Sequence, residues 1–398
     1  MRKILIPLAV VGALVLASCG GSSGPAASSC TKTFKVGFVT DIGKLGDKGF
    51  NDAGWKGVQD AQADSSLCVQ GKFLESKQPT DYTPNIQQFV DQKYDMVVAA
   101  GFLLGDDTLK AAKANPSVKF TIVDSADFSD PVAPTNFTGL LFKQDQGAFL
   151  VGALAALLSK TNHVGGVYGL DVPAVVQFRK GYENGAKYIN PSIKVDGVFH
   201  PAAANAFADP DWGKARAQDE LSGGADVIFA AGGATGNGAL LAAKEAGKPC
   251  IGVDVDQFLT YPDVAPCLVT SALKNISVAV KSIVASAVKG QWPSGGVQTF
   301  DIKNGGVGLA PYHQWDSKVS ADIKTKLQDI MNNLKDGSLS TGAEGLTKYS
   351  YTRHRSWSFV GSSSPSESSG QMTTWTWSSN GARSTRFWEK TGPARRPS

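Results

Sequence analysis

The sequence predicts an α/β protein built from two lobes, each with a doubly wound parallel sheet. From Phe34 to about residue 336, short apolar runs bounded by turn residues alternate with stretches of helical periodicity, a pattern typical of parallel β-α-β units. The apolar runs are nearly continuous, as in strands that are covered on both faces. About 300 residues of this pattern are more than one hydrophobic core usually holds, so we expect two lobes.

Eight of the apolar runs have the length of strands. They are FKVGFVT (34–40), YDMVVAA (94–100), KFTIVD (119–124), HVGGVYG (163–169), IKVDGVF (193–199), ADVIFAAGG (225–233), CIGVD (250–254) and CLVTSAL (267–273). Helices are predicted near residues 52–65, 82–93, 105–115, 145–160, 173–190, 211–222, 236–247, 273–289 and 320–336. The run at 147–158 is apolar on all sides, but its 12 residues are too few for a membrane span of about 20, so we expect a core helix.

The composition is that of an ordinary folded protein. Of 398 residues, 42% are apolar and 19% are charged, which excludes wholesale disorder, a collagen-like chain and a polytopic membrane protein. The net charge of +4 arises at the two ends, because residues 1–18 carry +2, residues 341–398 carry +5 and residues 19–340 carry −3. A nucleic-acid binder concentrates positive charge on one face, so we expect no nucleic-acid partner.

The N-terminal residues 1–18 have the features of a signal peptide, with two basic residues, a short apolar run and small residues before Cys19. The sequence LASC (16–19) resembles a bacterial lipobox, in which the cysteine is acylated and becomes the mature N-terminus. The Gly- and Ser-rich residues that follow predict a flexible linker over 19–33. We therefore expect a lipid-anchored protein that faces outside the cytoplasm, at the cell surface or in the periplasm. The alternative is an ordinary signal peptide followed by a chance cysteine.

The remaining four cysteines predict disulfides, which are chemically allowed in an exported protein. They permit three pairings. Their positions favour Cys30–Cys68, which lie before the first strand and after the first helix, and Cys250–Cys267, which each precede a short apolar segment. Four buried free thiols are the alternative. No two of these cysteines have the spacing of a zinc site such as C-x₂-C.

The alternation stops near residue 340, and residues 341–398 have a different composition. They contain no Ile, one Leu and one Val but four of the eight Trp, so they cannot build a core. Eight basic and three acidic residues give the segment its positive charge. We interpret it as a disordered basic tail, which a shifted reading frame would explain. The alternative is a functional tail that contacts an anionic surface.

Acidic residues, glycines and a lysine follow the predicted strands, and we expect a ligand there because open α/β sheets bind ligands outside the carboxyl ends of their strands. These residues are Asp41, Asp124, Gly232, Asp254, Asp256 and Lys274. The first strand leads through a glycine-rich turn to Asn51, and the carboxylates of Asp41, Asp47 and Asp52 around this turn would repel a phosphate. A neutral polar ligand is therefore favoured. For any single residue of this set, a helix cap or a turn is the alternative role.

No enzyme signature organises the other polar residues. The four histidines have no mutual metal-ligand spacing, and the sequence contains neither G-x-S-x-G nor G-x-x-x-x-G-K-[ST]. Ser286 and Lys289 fit S-x-x-K, but they lie in an apolar helical pattern without partners. We therefore expect a binding protein with no metal or cofactor, not an enzyme.

An ordered set of motifs resembles one known family. The motifs are KVGFVTDIGKLGDKGFNDAGWKG (35–57), FTIVD (120–124), GVYGLDVPAVVQFRKGYENGAKYINPSIKV (166–195), FADPDWGKA (207–215), AAGGATGNG (230–238), IGVDVDQ (251–257), TSALK (270–274) and NGGVGLAPYH (304–313). Together they resemble the basic membrane protein family, which are substrate-binding lipoproteins of ABC importers and include purine nucleoside receptors. The resemblance implies a type I periplasmic-binding fold, with two α/β lobes, three crossovers, a hinge and a ligand cleft. On this fold we expect lobe 1 to comprise residues 34–142 plus 256–300, and lobe 2 to comprise residues 143–255 plus 301–340.

The resemblance also implies which residues surround the base. Phe50, in the GFND turn, and Phe207, in AFADP, would stack on opposite faces of a purine ring, with Phe199 as the alternative to Phe207. Gly232 would let the main chain approach the ligand. Base–aromatic stacking of this kind contributes about 1–3 kcal/mol per base.

The polar contacts implied by the resemblance come from charged and amide side chains. Asp41 and Asn51 would face polar edges of the nucleoside, with Asp124 nearby. Asp256 and Lys274 would hold ribose hydroxyls or base edges through charge-assisted hydrogen bonds.

The function implied by the resemblance is capture of purine nucleosides for import. A monomer would close its hinge around the nucleoside and deliver it to the permease and ATPase subunits of an ABC transporter. Two alternatives remain at this stage: a different small neutral ligand, such as a sugar or an autoinducer, and a ligand-sensing receptor lipoprotein.

Overall fold

The computed structural model describes residue 30 and residues 32–126 and 134–344. The predicted signal peptide, Cys19, most of the predicted linker and all but the first four residues of the predicted tail lie outside the described residues. Within the described part, no helix combines the length and the apolar content needed to cross a membrane.

The first lobe is built around a parallel sheet of six strands. They are β1 (Phe34–Val39), β2 (Val69–Leu74), β3 (Met96–Ala100), β4 (Lys119–Val123), β5 (Phe137–Phe142) and β12 (Gly296–Phe300). Their order is β12-β5-β4-β3-β1-β2. Because successive strands lie on both sides of β1, the helices that connect them cover both faces of the sheet.

The second lobe repeats this arrangement with a second sheet. Its strands are β6 (His163–Tyr168), β7 (Lys194–Val195), β8 (Val198–Phe199), β9 (Ile228–Ala231), β10 (Cys250–Asp254), β11 (Leu268–Lys274) and β13 (Val307–Leu309). Their order is β13-β11-β10-β9-β6-β7, with β8 also paired to β6. Among the described strands, only β13 is antiparallel to its neighbour. The two sheets therefore share one strand order, and they differ in the direction of the last strand, β12 or β13.

Helices pack on both faces of each sheet. They are α1 (Phe50–Ala63), α2 (Tyr82–Asp91), α3 (Gly105–Ala114), α4 (Gln144–Leu158), α5 (Pro173–Ile189), α6 (Pro210–Ser222), α7 (Gly233–Glu245), α8 (Gln257–Thr260), α9 (Ile276–Val288) and α10 (Ala321–Asp336). In the first lobe, α1 and α9 bury one face of the sheet and α2 and α3 bury the other. The predicted α/β class with two parallel sheets is confirmed.

Most of the predicted elements agree with the structure. The nine predicted helices are all present, and the predicted strands are found within a few residues, except that 193–199 forms two short strands. The sequence pattern missed β2, β5, β12 and β13. In β2 and β12, exposed positions interrupt the buried and half-buried ones, because these strands lie at the two edges of the sheet and lack the continuous apolar run of a central strand.

The chain passes between the lobes three times, after Phe142, after Lys274 and after Phe300. Two of these connections are in direct contact, because the rings of Phe142 and Phe300 stack at 5.0 Å and the main-chain N–H of Lys143 donates to the carbonyl of Phe300 at 2.8 Å. Three adjacent connections of this kind are the expected form of a hinge.

The predicted boundary between residues 255 and 256 is wrong. The segment 268–274 was expected in lobe 1, but it forms β11 and pairs with β10 in the second sheet. The reason is local: Cys250 and Cys267 stand at the starts of these strands and are joined by a disulfide with a Cα–Cα distance of 5.2 Å. The second lobe therefore continues to Lys274, and α9 returns the chain to the first lobe by packing on α1.

The other two cysteines, Cys30 and Cys68, are also joined, with a Cα–Cα distance of 5.7 Å. This disulfide connects the segment before β1 to the residue before β2. Both pairings are those that the positions in the sequence favoured.

The folded unit extends beyond residue 340, where the tail was predicted to begin. Thr341 is 2% exposed, and its hydroxyl donates to the buried carboxylate of Asp145 in the first turn of α4. The amide of Asn184 on α5 donates to the main-chain carbonyl of Thr341 at 2.8 Å, and Ala343 is buried. Residues 341–344 thus supply the hydrogen-bond donor that a buried carboxylate needs, so the predicted start of the tail is corrected to a point after residue 344.

Candidate functional site

A cavity lies between the two lobes, where the carboxyl ends of their strands face each other. The space between the lining atoms, open mouth included, is about 590 Å³. Residues at the ends of β1, β3 and β4 line it from the first lobe, and residues at the ends of β9, β10 and β11 line it from the second. The topology of doubly wound sheets places ligand sites at this edge.

Aromatic rings enter the cavity from both lobes. Phe50 is the first residue of α1, and Phe207 lies in the loop between β8 and α6; both are half-buried and both line the cavity. Phe102, just after β3, and Phe178, on α5, contribute two further rings. Rings presented from opposite walls suit a flat ligand, which can stack between them.

The glycine-rich loop between β1 and α1 is ordered by two buried carboxylates. Oδ1 of Asp41 accepts hydrogen bonds from the main-chain N–H of Gly43 and from Nδ2 of Asn51, each at 2.8 Å. The carboxylate of Asp47 accepts from the main-chain N–H groups of Gly49 at 3.0 Å and Asn51 at 2.8 Å. The N–H groups that a phosphate would use in such a loop are therefore already bound to carboxylates.

Lys274 and Asp124 form an ion pair that joins the two lobes. Nζ of Lys274, at the end of β11, lies 2.5 Å from Oδ2 of Asp124, which follows β4. The lysine side chain is 1% exposed, and its Nζ also lies 5.1 Å from the ring centroid of Phe50 and 5.7 Å from that of Phe178. Oδ1 of Asp124 is buried and has no hydrogen-bond partner among the described residues.

The carboxyl group of Asp254 also faces the cavity without a protein partner. Asp254 ends β10 and is 7% exposed, yet no hydrogen bond from residues 32–126 or 134–344 reaches its side chain. Buried polar atoms are nearly always satisfied. The free oxygens of Asp254 and Asp124 are therefore positioned to accept hydrogen bonds from a ligand.

Burial changes the protonation of the carboxyl groups around the cavity. It raises the pKa of Asp254 to about 7, although the nearby charge of Lys274 opposes the shift. It also raises the pKa of Asp41 to about 6 and that of Asp47 to about 7, against the hydrogen bonds that Asn51 donates to both. The cavity thus combines several carboxyl groups with one lysine, which favours a neutral ligand with hydroxyl or N–H donors over an anion.

Residues 34–336 match the Bmp family, which comprises PnrA-like substrate-binding proteins of ABC transporters. The chain belongs to this family. The predicted family is thereby confirmed, and with it the expectation that the protein is a binding protein rather than an enzyme. As a Bmp protein it works outside the cytoplasm with the permease and ATPase of an ABC transporter.

Two relatives and one solved structure are similar to this chain over most of its length. It is 32% identical to the CD4+ T-cell-stimulating antigen of Listeria monocytogenes, over 84% of this chain and 96% of the relative. It is 31% identical to the ABC transporter nucleoside-binding protein BmpA of Lactococcus lactis, over 85% of this chain and 99% of the relative. Among solved structures, an ABC transporter solute-binding protein from Aeropyrum pernix matches with a TM-score of 0.64 and 25% identity, over 81% of this chain and 92% of that one.

Seven of the eight predicted ligand residues line the cavity of this Bmp protein. They are Asp41, Phe50, Asn51, Asp124, Phe207, Gly232 and Lys274. Gly232 lies so close to the end of β6 that a Cβ there would come within 2.5 Å of the main-chain nitrogen of Gly169. The absence of a side chain at Gly232 therefore lets this residue pack against the protein's own main chain, and the same residue also lines the cavity.

The eighth predicted residue, Asp256, does not line the cavity. Its Oδ1 caps the first turn of α8 through the N–H of Phe258, and its Oδ2 lies 2.6 Å from Nε2 of His313. Asp254, two residues earlier, takes the place in the lining. The motif IGVDVDQ offers two acidic residues, and only Asp254, which ends the strand, lies in the lining. Phe199, the alternative stacking residue, is also outside the lining and packs against Tyr168.

The sequence reasoning also missed several lining residues of the Bmp cavity. Phe102 follows a strand end, a position that could have indicated it, whereas Phe178 lies on a helix face and carried no signal. Asp47 was interpreted only as a charge that repels phosphate. Within the described part of the chain, no group of three His, Cys, Asp or Glu side chains could hold a metal ion.

Proposed function

We propose that this Bmp protein binds purine nucleosides in the cavity between its lobes. The observation that carries the proposal is the combination of Phe50 and Phe207 on opposite walls with the unpartnered buried Oδ1 of Asp124 and the carboxyl group of Asp254, which lines the cavity. A purine ring is flat enough to stack between phenyl rings. The hydroxyls of a ribose are neutral groups that can donate hydrogen bonds to buried carboxyl oxygens. The name of the Lactococcus lactis relative, a nucleoside-binding protein, supports the same ligand class.

Closure of the two lobes around the nucleoside is the proposed mechanism of capture. The ion pair between Lys274 and Asp124 crosses the cleft, as does the hydrogen bond from the hydroxyl of Thr260 to the carbonyl of Lys48 at 2.9 Å. A ligand that contacts both walls binds the closed arrangement better than the open one, so it shifts the protein towards closure. The permease then receives a closed, loaded protein.

The proposed site of action is the outer face of the cytoplasmic membrane, with the protein anchored by acyl chains on Cys19. The LASC motif after a short apolar run supports this. Two or more acyl chains anchor a protein stably, whereas one does not. The substitution Cys19→Ala should release the protein from the membrane fraction of cells. A variant that stays with the membrane would exclude the lipid anchor.

Isothermal titration calorimetry tests the ligand class. We expect inosine, guanosine or adenosine to bind more tightly than uridine, ribose or guanosine monophosphate. The pyrimidine offers less area for stacking, ribose has no base, and the phosphate would meet the carboxyl groups of the cavity. Tighter binding of ribose than of any nucleoside would instead identify a sugar-binding protein. A neighbouring gene for a permease or ATPase, and loss of nucleoside uptake on deletion, would distinguish import from sensing.

A further inference from the structure

A chain of hydrogen-bonded groups connects the second lobe to the first beside the cavity. Nδ2 of Asn237, on α7, donates to the main-chain carbonyl of Asp47 in the first lobe at 2.8 Å. Oδ1 of Asn237 accepts from Nε2 of Gln257 at 3.0 Å. Oε1 of Gln257 in turn accepts from the main-chain N–H of Val253 at 3.0 Å. We refer to Val253, Gln257, Asn237 and Asp47 as the amide relay.

The amide relay has a fixed polarity because it begins at a main-chain N–H and ends at a main-chain carbonyl. The N–H of Val253 can only donate, so the oxygen of the Gln257 amide must face it. The NH₂ of Gln257 then faces Asn237, whose own oxygen must accept. This leaves the NH₂ of Asn237 as the group presented to the first lobe, where the carbonyl of Asp47 requires a donor.

Packing holds the relay in this arrangement. Gln257 is 2% exposed and Asn237 is 8% exposed. The main-chain N–H of Gln257 donates to the hydroxyl of Ser271 at 3.2 Å. A Cβ on Gly252 would lie 2.4 Å from Oε1 of Gln257, so the main chain of β10 approaches the amide closely. A buried amide with these neighbours cannot turn over without leaving polar groups unsatisfied.

The relay connects the two walls of the binding cavity: its end residues Val253 and Asp47 belong to the lining, and the two amides between them do not. Val253 precedes Asp254, and both line the cavity; Asp47 belongs to the loop that orders Phe50 and Asn51. Asn237 and Gln257 do not line the cavity. The bond from Asn237 to Asp47 spans 190 positions of sequence and joins one lobe to the other, so it is made only when the lobes are together.

We propose that the amide relay stabilises the closed arrangement independently of ligand, and that Asn237 and Gln257 are positioning residues that slow ligand release. The relay brings the loop of Phe50 against the strand end of Asp254 before any ligand contributes. The ligand-free protein therefore populates the closed arrangement, and a ligand increases that population. This rests on the proposed nucleoside function only for the choice of ligand in the second measurement below.

Two variants each remove one donor of the relay at nearly constant volume. In Asn237→Asp, a carboxylate oxygen replaces the NH₂ and faces the carbonyl of Asp47. In Gln257→Glu, the introduced carboxylate cannot donate to Oδ1 of Asn237. The Asn237 amide then either turns over, which places its oxygen against the carbonyl of Asp47, or keeps its orientation and leaves its oxygen without a donor. The control is Asn184→Ala, at a position away from the cavity. It removes an amide that donates a hydrogen bond of 2.8 Å to the main-chain carbonyl of Thr341.

Single-molecule energy transfer on the ligand-free protein provides the first measurement. Dyes at the exposed positions Gln88, on α2, and Gln218, on α6, report the separation of the lobes. We expect a closed population in the wild type, about a tenfold lower ratio of closed to open protein in Asn237→Asp and Gln257→Glu, and no change in Asn184→Ala. Tenfold corresponds to about 1.4 kcal/mol. Thermal melting of each variant verifies that it is folded.

The second measurement is the dissociation rate of guanosine by stopped-flow fluorescence. We expect it to rise about tenfold in both relay variants, with a much smaller change in the association rate, because neither side chain touches the ligand. A wild type that is only open without ligand, relay variants with unchanged lobe separation, or a control that changes equally would each overturn the proposal. If guanosine does not bind the wild type, the nucleoside assignment fails while the ligand-free measurement still decides the role of the relay.

Discussion

Asp124 and Asp254 occupy equivalent positions in the two lobes and share an unusual main-chain conformation, each with a φ of 65°. Asp124 directly follows β4 and Asp254 ends β10, and these two strands hold the same place in the order of their sheets. Left-handed conformations are unfavourable for residues other than glycine and concentrate at functional sites. Each lobe therefore brings one strained carboxyl residue to the cavity, from the same point of the same topology.

Asp254→Asn should alter how stability depends on pH. Burial raises the pKa of Asp254 from 3.8 to about 7, so the folded protein holds this proton more tightly than the unfolded chain does. The stabilisation from that proton is complete below about pH 4 and is lost as the pH rises to about 7. The free energy of unfolding of the wild type, relative to Asp254→Asn, should therefore fall over this range by up to roughly 1.4 kcal/mol per pH unit. Guanidinium titrations between pH 4 and 8 measure it, and a difference that does not vary with pH would contradict the argument.

Lys274→Met should destabilise the protein and weaken guanosine binding. The methionine fills a similar volume but leaves Asp124 without its cation in a buried site. Breaking a buried ion pair by removing one partner typically costs about 3–5 kcal/mol. Denaturation at pH 7.5 measures the loss, and calorimetry measures the affinity.

The double variant Asp124→Asn with Lys274→Met is the control for this effect. Because it removes both charges, it should recover much of the stability that Lys274→Met loses. Additive losses in the two single variants would mean that the groups do not act as a pair.

Phe50→Ala and Phe207→Ala should each weaken guanosine binding by at least about tenfold, since each removes one stacking surface worth roughly 1–3 kcal/mol. Phe50→Leu should fall between the alanine variant and the wild type, because it retains apolar contact without the ring. Calorimetry measures all three affinities.

Two aromatic residues outside the cavity serve as controls. Phe73→Ala, on the outer strand β2, and Phe199→Ala, against Tyr168, should leave the affinity unchanged. An unchanged affinity in Phe50→Ala would remove that ring from the proposed stacking pair.

Truncation should distinguish the two possible ends of the folded unit. A chain that ends after residue 344 retains the hydroxyl of Thr341 bonded to Asp145, and it should melt with the full-length protein. A chain that ends after residue 340 loses this bond and leaves a buried carboxyl group unsatisfied, at a cost of about 1–3 kcal/mol. Calorimetric melting of the three chains measures the difference. Equal melting of the two shortened chains would show that residues 341–344 contribute nothing to stability.

The fold was predictable because most of its inner strands are continuous apolar runs and most of its helices have clear helical periodicity. Strands such as β1 and β10 read as continuous apolar runs. The outer strand β12 does not, and its pairing beside β5 involves residues more than 150 positions apart, a separation about which local sequence says nothing. The boundary of the second lobe was placed before β11 instead of after it because the apolar run at 267–273 does not itself show which sheet it joins.

The site was predictable where a residue ends a strand, since topology alone brings strand ends to one edge. This rule identified Asp41, Asp124 and Lys274. It could not choose between Asp254 and Asp256, which differ in whether the side chain faces the cavity or caps α8. This rule could not predict the contact between Asn237 and Asp47, because that contact depends on how the two lobes meet.

The chain crossings described above also constrain the order in which the protein folds. The first sheet is incomplete until Gly296–Phe300 has been made, because only this segment supplies the strand beside β5. By then the whole of β6 to β11 has already been synthesised. The second lobe can therefore assemble its central strands first, while β5 is an unpaired edge on its outer side. Such an edge is a site for aggregation in a half-finished chain, and both sheets wait for a late segment to supply their last strand, Gly296–Phe300 for the first and Val307–Leu309 for the second.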